Sequence, residues 1–285
     1  MCYNSIPDRL VVMDCPNCEH GPVKLVDSVR VTQFLLPASL SHCQNCDFLF
    51  LADPSWLNLA YQREFFGDTG YMKRNLDLHR LLISYFSLVS IFRCIPKDFM
   101  ACDIGAGLGV FARLMRDRGF SFFGLDEYSS MPLIQPFVLA DCSSVSVKTA
   151  FEVVEHVPSL PDFMRLHDVA SSKIFIFSTL LRPDGAVPGP DWKYYCFPQG
   201  QHISFHSKKS LRFAFSRCGV DWSSFCSIHP GLHIVSSDFG LRRLFRLAYF
   251  LRKRGLDRLA IPLMTCLSGR QSLTGSDHAM IMARD

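Results

Sequence analysis

Little in this chain points to a polyanionic partner, a membrane span or an export route. Thirty Lys and Arg stand against 26 Asp and Glu, a formal net charge of +4, too small to demand nucleic acid as a partner. No apolar run reaches the ~20 residues of a membrane-crossing helix. The longest, Leu81 to Phe92, is broken by Ser84, Ser87 and Ser90 and suits an amphipathic helix. The opening Met1-Cys-Tyr-Asn-Ser-Ile-Pro-Asp8 has turn formers where a secretory signal needs an apolar core, so a cytoplasmic location is expected. Internal repeats and low-complexity runs are absent. Cysteine, by contrast, is plentiful at 12 residues, eight of them scattered in apolar or strand-like settings that suit reduced, buried thiols. With 285 residues, 48% of them hydrophobic, the chain can bury one large core and carry a small appended module.

The other four cysteines are organised. Cys15-Pro-Asn-Cys18 and Cys43-Gln-Asn-Cys46 are two C-x2-C knuckles 24 residues apart, and four thiolates on two tight turns make a closed tetrahedral Zn2+ site. His20 and His42 stand near enough to be alternative ligands. The knuckle region has few cations, Lys24 and Arg30 and then none before Arg63, so a structural or substrate-covering role is expected rather than nucleic-acid binding.

The most informative stretch is Phe99-Met-Ala-Cys-Asp-Ile-Gly-Ala-Gly-Leu-Gly-Val-Phe111. It reads as a buried strand ending near Asp103, a turn with Gly105, Gly107 and Gly109, and a helix with Val110, Phe111, Leu114 and Met115 on one face. A second acid, Asp126, closes Phe122-Phe-Gly-Leu125, where a neighbouring parallel strand places a carboxylate against ribose hydroxyls. A dinucleotide fingerprint needs glycine where Val110 stands, and an acid before the glycines disfavours phosphate. The pair therefore points to a cationic, hydroxyl-bearing ligand. Asp-x-Gly-x-Gly-x-Gly resembles motif I of the class I S-adenosylmethionine-dependent methyltransferases. That resemblance implies cofactor contacts from Asp103, Gly105, Ala106, Gly107, Gly109 and Asp126, and from Asp141 at the end of a third short strand, Phe137 to Ala140. It also implies a cofactor lid around Tyr71, Arg74 and Asn75, with Arg74 placed to pair with the cofactor's carboxylate.

A second cluster lies in Val147-Lys-Thr-Ala-Phe-Glu-Val-Val-Glu-His156. Glu152, Glu155 and His156 fall at the end of a fourth strand and are costly to bury unless they bind something. Glu-x-x-Glu-His resembles the metal-binding turn of the ubiquinone-pathway O-methyltransferases and the small-RNA 2'-O-methyltransferases, in which a later histidine completes the site. Here His202 is that candidate and His206 its competitor. Two carboxylates and one or two imidazoles suit Mg2+ or Mn2+. Without metal, Glu155, His156 and His202 could assist deprotonation directly. Trp192, Tyr194 and Tyr195, on a long loop before His202, either stack on a flat acceptor or pin the loop to the core.

Residues 1-53 are accordingly read as a zinc-ribbon-like module, 54-98 as linker and helical lid, and 99-285 as a methyltransferase domain. The expected fold is α/β, a Rossmann-like seven-stranded sheet with helices on both faces, its final strand at Ser276 to Ala283. A basic helical insertion at about 238-265 is read chiefly as a solvated face over a buried stripe, with contact to a membrane or lipid-linked substrate as the alternative. The resemblance implies methylation of a hydroxyl on a sugar, glycan or small polyol. Alternatives are C-methylation of a nucleotide-linked deoxysugar, RNA modification, and a non-catalytic scaffold. The oligomeric state is not legible in the sequence.

Overall fold

A computed structural model describes residues 10-11, 13-31, 33-61 and 69-283. The opening Met1 to Asp8 and the start of the loop expected at Phe65 lie outside the described residues. In chain order the elements are β1 (Leu10–Val11), β2 (Val23–Val31), β3 (Leu36–Cys43), β4 (Leu49–Ala52), α1 (Leu57–Tyr61), α2 (Thr69–Ile91), β5 (Met100–Ile104), α3 (Val110–Arg116), β6 (Ser121–Leu125), β7 (Val147–Ala150), α4 (Leu160–Leu166), β8 (Ile174–Ser178), β9 (Ser204–Phe205), α5 (Lys208–Arg217), β10 (Phe225–His229), β11 (Leu232–Val235), α6 (Phe239–Lys253), α7 (Asp257–Ser268) and α8 (Thr274–Met282). The loop expected through Tyr71 is already helical from Thr69.

The larger sheet runs β10-β11-β8-β7-β5-β6, with β6, β5, β7 and β8 parallel and β11 antiparallel to both of its neighbours. Both of its faces are covered, so its central strands read as continuous apolar runs rather than as alternating ones. Within Ile174-Phe-Ile-Phe177 the pleat still sorts the side chains. Ile174 and Ile176 join Leu82, Phe86, Phe111, Phe122 and Phe245 under α2, α3 and α6. Phe175 and Phe177 join Leu160, Phe163, Leu211 and Phe215 under α4 and α5.

Two expectations are corrected here. The sheet has six strands among the described residues, not seven. The segment after β6 reaches it only through one parallel bridge, Gly124 to Val138, because Pro136 offers no N–H to a ladder and Asp141 turns away on an exposed surface. Ser276 to Ala283, expected as the last strand, is helical instead: α8 runs through Met282, and Ala283 caps it. The antiparallel position beside β8 is already filled by β11, and Asp277 is held where a helix places it. Its carboxylate accepts from Arg116 Nε at 2.8 Å and Nη2 at 2.6 Å, and from Arg113 Nη1 at 2.8 Å.

The smaller sheet, β1-β2-β3-β4-β9, is antiparallel throughout. Its fifth strand comes from residues 204-205, far along the chain. Val31, Leu40, Leu49, Leu51 and Trp56 pack there with Tyr195, Ile203 and Phe205.

Arg116 and Asp277 are 4% and 3% exposed, so truncating the acid strands the Arg116 guanidinium against the core, while Arg113 keeps Asp117 as a partner. Asp277→Ala is expected to lower unfolding stability by about 3–5 kcal/mol in urea titrations. Met282→Ser, on the exposed side of α8, should stay within about 0.5 kcal/mol; equal costs would contradict the helical placement.

Candidate active site and cysteine cluster

The chain leaves β5 at Ile104 and turns at once. Gly105 (φ +70°) and Gly109 (φ +81°) occupy left-handed conformations, and a Cβ on them would stand 2.5 Å from Val153 Cγ2 and 2.6 Å from Ile134 Cγ1, so side chains are excluded by backbone and space alike. The Gly105 amide donates to the Leu125 carbonyl at 2.8 Å, fastening the turn to the end of β6. Asp126 then faces it. One carboxylate oxygen accepts from Gly107 N at 2.7 Å and the other from Tyr128 N and Ser129 N at 2.8 and 2.9 Å. Asp103 is buried and accepts from Thr149 Oγ1 at 2.7 Å. Burial, with the Asp126 charge adding to it and the Thr149 hydrogen bond partly offsetting it, pushes the Asp103 carboxyl up to about 7. Two carboxylates at adjacent strand ends thus lack a positive counterpart, and a cationic ligand would supply it. Over the turn, the Tyr71 hydroxyl of α2 accepts from Leu108 N at 3.3 Å.

Arg74 pairs with Glu152, Nη1 to Oε2 at 3.1 Å. Asp141 sits in an exposed turn, accepting from Ser143 N and Oγ, rather than at a strand end. Ala106 lies within the turn itself.

Beyond β7 a short 3-10 turn, Val154–His156, presents Glu155 and His156. One ligand atom from each of Glu155, His156 and His202 lies within 4.8 Å of the others. Glu152 falls outside that group: its second oxygen accepts from Ser178 Oγ at 2.8 Å. Both Glu155 oxygens are buried without a hydrogen-bond partner of good geometry, since the nearby Tyr194 and Thr179 hydroxyls engage each other and the Leu180 amide. Burial, reinforced by the Glu152 charge, pushes the Glu155 carboxyl up to about 8. Burial also lowers both imidazoles, His156 to about 3. At neutral pH these three side chains by themselves are therefore uncharged.

His202 Nδ1 must donate to the Tyr194 carbonyl at 2.7 Å, because a carbonyl can only accept. In the neutral ring Nε2 then keeps its lone pair. His206 is placed elsewhere: it is buried against Phe48 with ring centroids 4.8 Å apart, and Nδ1 faces Ser210 Oγ at 3.3 Å. The loop aromatics mostly pin. Tyr195 is buried and its hydroxyl donates to the Pro188 carbonyl, while Tyr194 packs against His202 at 4.7 Å. Tyr61 is a participant the sequence did not announce. Its hydroxyl shares a 2.5 Å hydrogen bond with His156 Nδ1, and its ring stacks on Tyr128 at 4.5 Å. It lies 95 residues from His156, and no local pattern marks it. Behind the Arg74–Glu152 pair lies a cavity of about 620 Å³ lined by Lys73, Ser178, His229, Tyr249, Arg252 and Lys253, among others.

The four knuckle cysteines converge at the other end of the smaller sheet, all buried, with one sulfur from each within 4.8 Å of the rest. Cys15 and Cys46 sulfurs stand 3.6 Å apart and Cys18 and Cys43 3.7 Å. A tetrahedral ion with bonds of about 2.3 Å separates its sulfurs by about 3.8 Å, so the donor set fits one without rearrangement. Asn17 and Asn45 side-chain amides donate to Cys46 and Cys18. His20 and His42 are not among these donors, and His42 pairs with Asp47 instead.

Residues 81-222 match the family of methyltransferase domains, a span that contains the glycine turn, Asp126, the Glu155 cluster and His202. The chain carries a methyltransferase domain. It is of the S-adenosylmethionine-dependent class. No curated protein sequence matches the chain. Among solved structures, this methyltransferase is similar to CalO1, a methyltransferase of calicheamicin biosynthesis in its S-adenosylhomocysteine-bound form (12% identity, 59% of this chain and 56% of that one, TM-score 0.37). It is also similar to an S-adenosylmethionine-dependent methyltransferase of Leishmania major (14% identity, 64% and 84%, TM-score 0.41). A third is the magnesium protoporphyrin IX methyltransferase ChlM of Synechocystis PCC 6803 with bound S-adenosylmethionine (12% identity, 64% and 92%, TM-score 0.35). The chain spans less than two thirds of CalO1. Likeness at this level transfers no acceptor.

Asp103 gives the ligand-free methyltransferase a pH signature. A carboxyl whose pKa is raised on folding takes up a proton between the unfolded value, near 3.8, and the folded one, near 7. Its burial penalty is absent below that window and complete above it. Stability is expected to fall as pH rises from about 4 to about 7, at up to ~1.4 kcal/mol per unit, with Glu155 acting in the same direction. Asp103→Asn should flatten the profile of urea midpoints; an unchanged slope would remove the assignment.

Proposed function

We propose that this domain methylates a hydroxyl of a sugar, glycan or related small polyol. Asp103, Gly105, Ala106, Gly107, Gly109 and Asp126 would hold S-adenosylmethionine, with Tyr71 of α2 closing over the turn. When bound, that cofactor supplies a methyl group on a cationic sulfur and departs as the neutral thioether. The chain's own part is to orient the acceptor and move one proton.

The observation that carries this reading is the tautomer forced on His202. With Nδ1–H committed to the Tyr194 carbonyl, Nε2 is the free base of a ring that has a nitrogen within 4.8 Å of the unpartnered carboxyl of Glu155. Nε2 takes the proton as the acceptor oxygen forms its bond to the methyl carbon. Glu155, once ionised, stabilises the resulting imidazolium. Tyr61 fixes the His156 ring, and Tyr128 extends an aromatic wall toward the acceptor. The cavity beside Arg74 and Glu152 offers space for the rest of that molecule.

A second reading rests on the same orphaned carboxyl. Glu155, His156 and His202 together form a three-donor set that fits a divalent ion such as Mn2+ or Mg2+, which would bind a hydroxyl and lower its pKa. The Cys15, Cys18, Cys43 and Cys46 site fits structural Zn2+, which would hold the smaller sheet together. Arg74 and Asp141 are the weakest of the proposed cofactor contacts, since the Arg74 guanidinium is engaged by Glu152 and Asp141 lies in an exposed turn away from any strand end.

Calorimetry with S-adenosylhomocysteine should give one-to-one binding that Asp126→Ala abolishes; no heat at high concentration favours a scaffold instead. With a panel of free and nucleotide-linked sugars and isotopically labelled methyl donor, His202→Ala should lower kcat by about 10²–10⁴-fold while cofactor affinity holds. Turnover should rise with pH through about 8 as Glu155 ionises, and Glu155→Gln should remove the rise. Chelation followed by Mn2+ separates the base from the metal version: turnover that survives a chelator leaves His202 as the base.

A further inference from the structure

The helical pair α6–α7 displays a surface that the methyl-transfer site does not use. On α7 the positions facing solvent are Leu259, Pro262, Leu263, Cys266 and Leu267, spaced i, i+3, i+4, i+7, i+8 along one face. Leu259, Leu263 and Leu267 are 80%, 62% and 64% exposed. The polarity of this helix is inverted: Asp257 is buried, bound by Arg80 at 2.7 Å, while the leucines look outward. α6 packs beside it with Leu247 and Phe250 exposed in the same way. A contiguous apolar face of this kind on an otherwise ordinary surface marks a contact site.

Charge decides what covers it. From Phe239 to Ser268 the chain carries Arg242, Arg243, Arg246, Arg252, Lys253, Arg254 and Arg258, and its one acid is the buried Asp257. Arg243, Arg246, Arg254 and Arg258 are exposed on the same helical pair, with no exposed carboxylate between Phe239 and Ser268, and the Arg254 guanidinium lies over the Phe250 ring at 5.3 Å. A second copy of the chain is disfavoured, because a two-fold contact would set this cationic surface against itself. An anionic lipid surface matches both parts, taking leucines and Phe250 at the acyl boundary and guanidinium groups among the headgroups. No helix among the described residues is long and apolar enough to cross a membrane, so the contact is peripheral.

We propose that α6–α7 is a docking surface for an anionic membrane. Tyr249, Arg252 and Lys253 of α6 also line the cavity beside Arg74 and Glu152, so docking would set that cavity near the headgroup layer. The proposal stands whether or not the acceptor is a sugar.

The test is flotation of the full chain with large unilamellar vesicles of phosphatidylcholine alone, or with about 30% phosphatidylglycerol. Partitioning should be at least about tenfold stronger on the anionic vesicles and should fall several-fold as salt rises from about 0.1 to about 0.5 M. Leu259→Ser/Leu263→Ser and, separately, Arg243→Glu/Arg246→Glu should each lose most of the binding while S-adenosylhomocysteine calorimetry stays unchanged. All four side chains are exposed, so folding should be unaffected, and circular dichroism melting checks it. Equal partitioning on both vesicles, no partitioning on either, or full binding by the two double variants overturns the proposal. So does a dimer in sedimentation that Leu259→Ser/Leu263→Ser dissociates while the native chain ignores vesicles.

Discussion

Parallel pairing on both sides of β5 is the constraint that creates the site. The register sets Asp103 opposite Gly124 on β6 and opposite Thr149 on β7. All three strands therefore end at one level, and the segments that leave them converge: the glycine turn, Asp126, and the Glu155–His156 turn. Asp126 then ties its own loop to the glycine turn through the Gly107 amide. A slip of one residue in this ladder would turn Asp103 to the opposite face of the sheet.

The smaller sheet serves the other half of the site. Asp47, just after the second knuckle, pairs with buried Arg182 at 3.0 Å and accepts from Gly185 N, at the start of the loop that carries Tyr194. Trp56 Nε1 donates to the Gly200 carbonyl at 2.7 Å. Ile203 N donates to the Glu155 carbonyl, and Leu51 N to the Ile203 carbonyl. His202 is thus suspended between the cysteine-bearing sheet and the turn that holds its partners. An ion in the cysteine cluster would stiffen this frame without touching the reaction.

Features encoded locally were legible in the sequence. Glycines before a helix, a C-x2-C repeated at fixed distance, and an apolar strand ending in acid each reveal themselves within a dozen residues. The structure brings Glu155, His156 and His202 within 4.8 Å of one another, a meeting that only the resemblance to a metal-binding turn, and no spacing along the chain, led one to expect. What failed was encoded by competition between distant parts. Met280-Ile-Met282 has strand-like composition, yet β11 already fills the antiparallel place between β8 and β10 and Arg116 draws Asp277 into a helix. Tyr61 and the Tyr194 carbonyl matter only because of folds made elsewhere in the chain. Likewise Glu152 and Glu155 look equivalent on paper. Ser178 and Arg74 claim the first and leave the second bare.

The pairing of β4 with β9 makes the two sheets one piece of architecture. Removing the first fifty-odd residues to obtain a shorter enzyme would strip β9 of its neighbour and uncover Phe205 and Tyr195, which now face Leu49 and Trp56. Such an unprotected strand recruits other chains. Attempts at minimisation should therefore treat the cysteine module as part of the catalytic body, and attach tags or fusion partners well away from that seam.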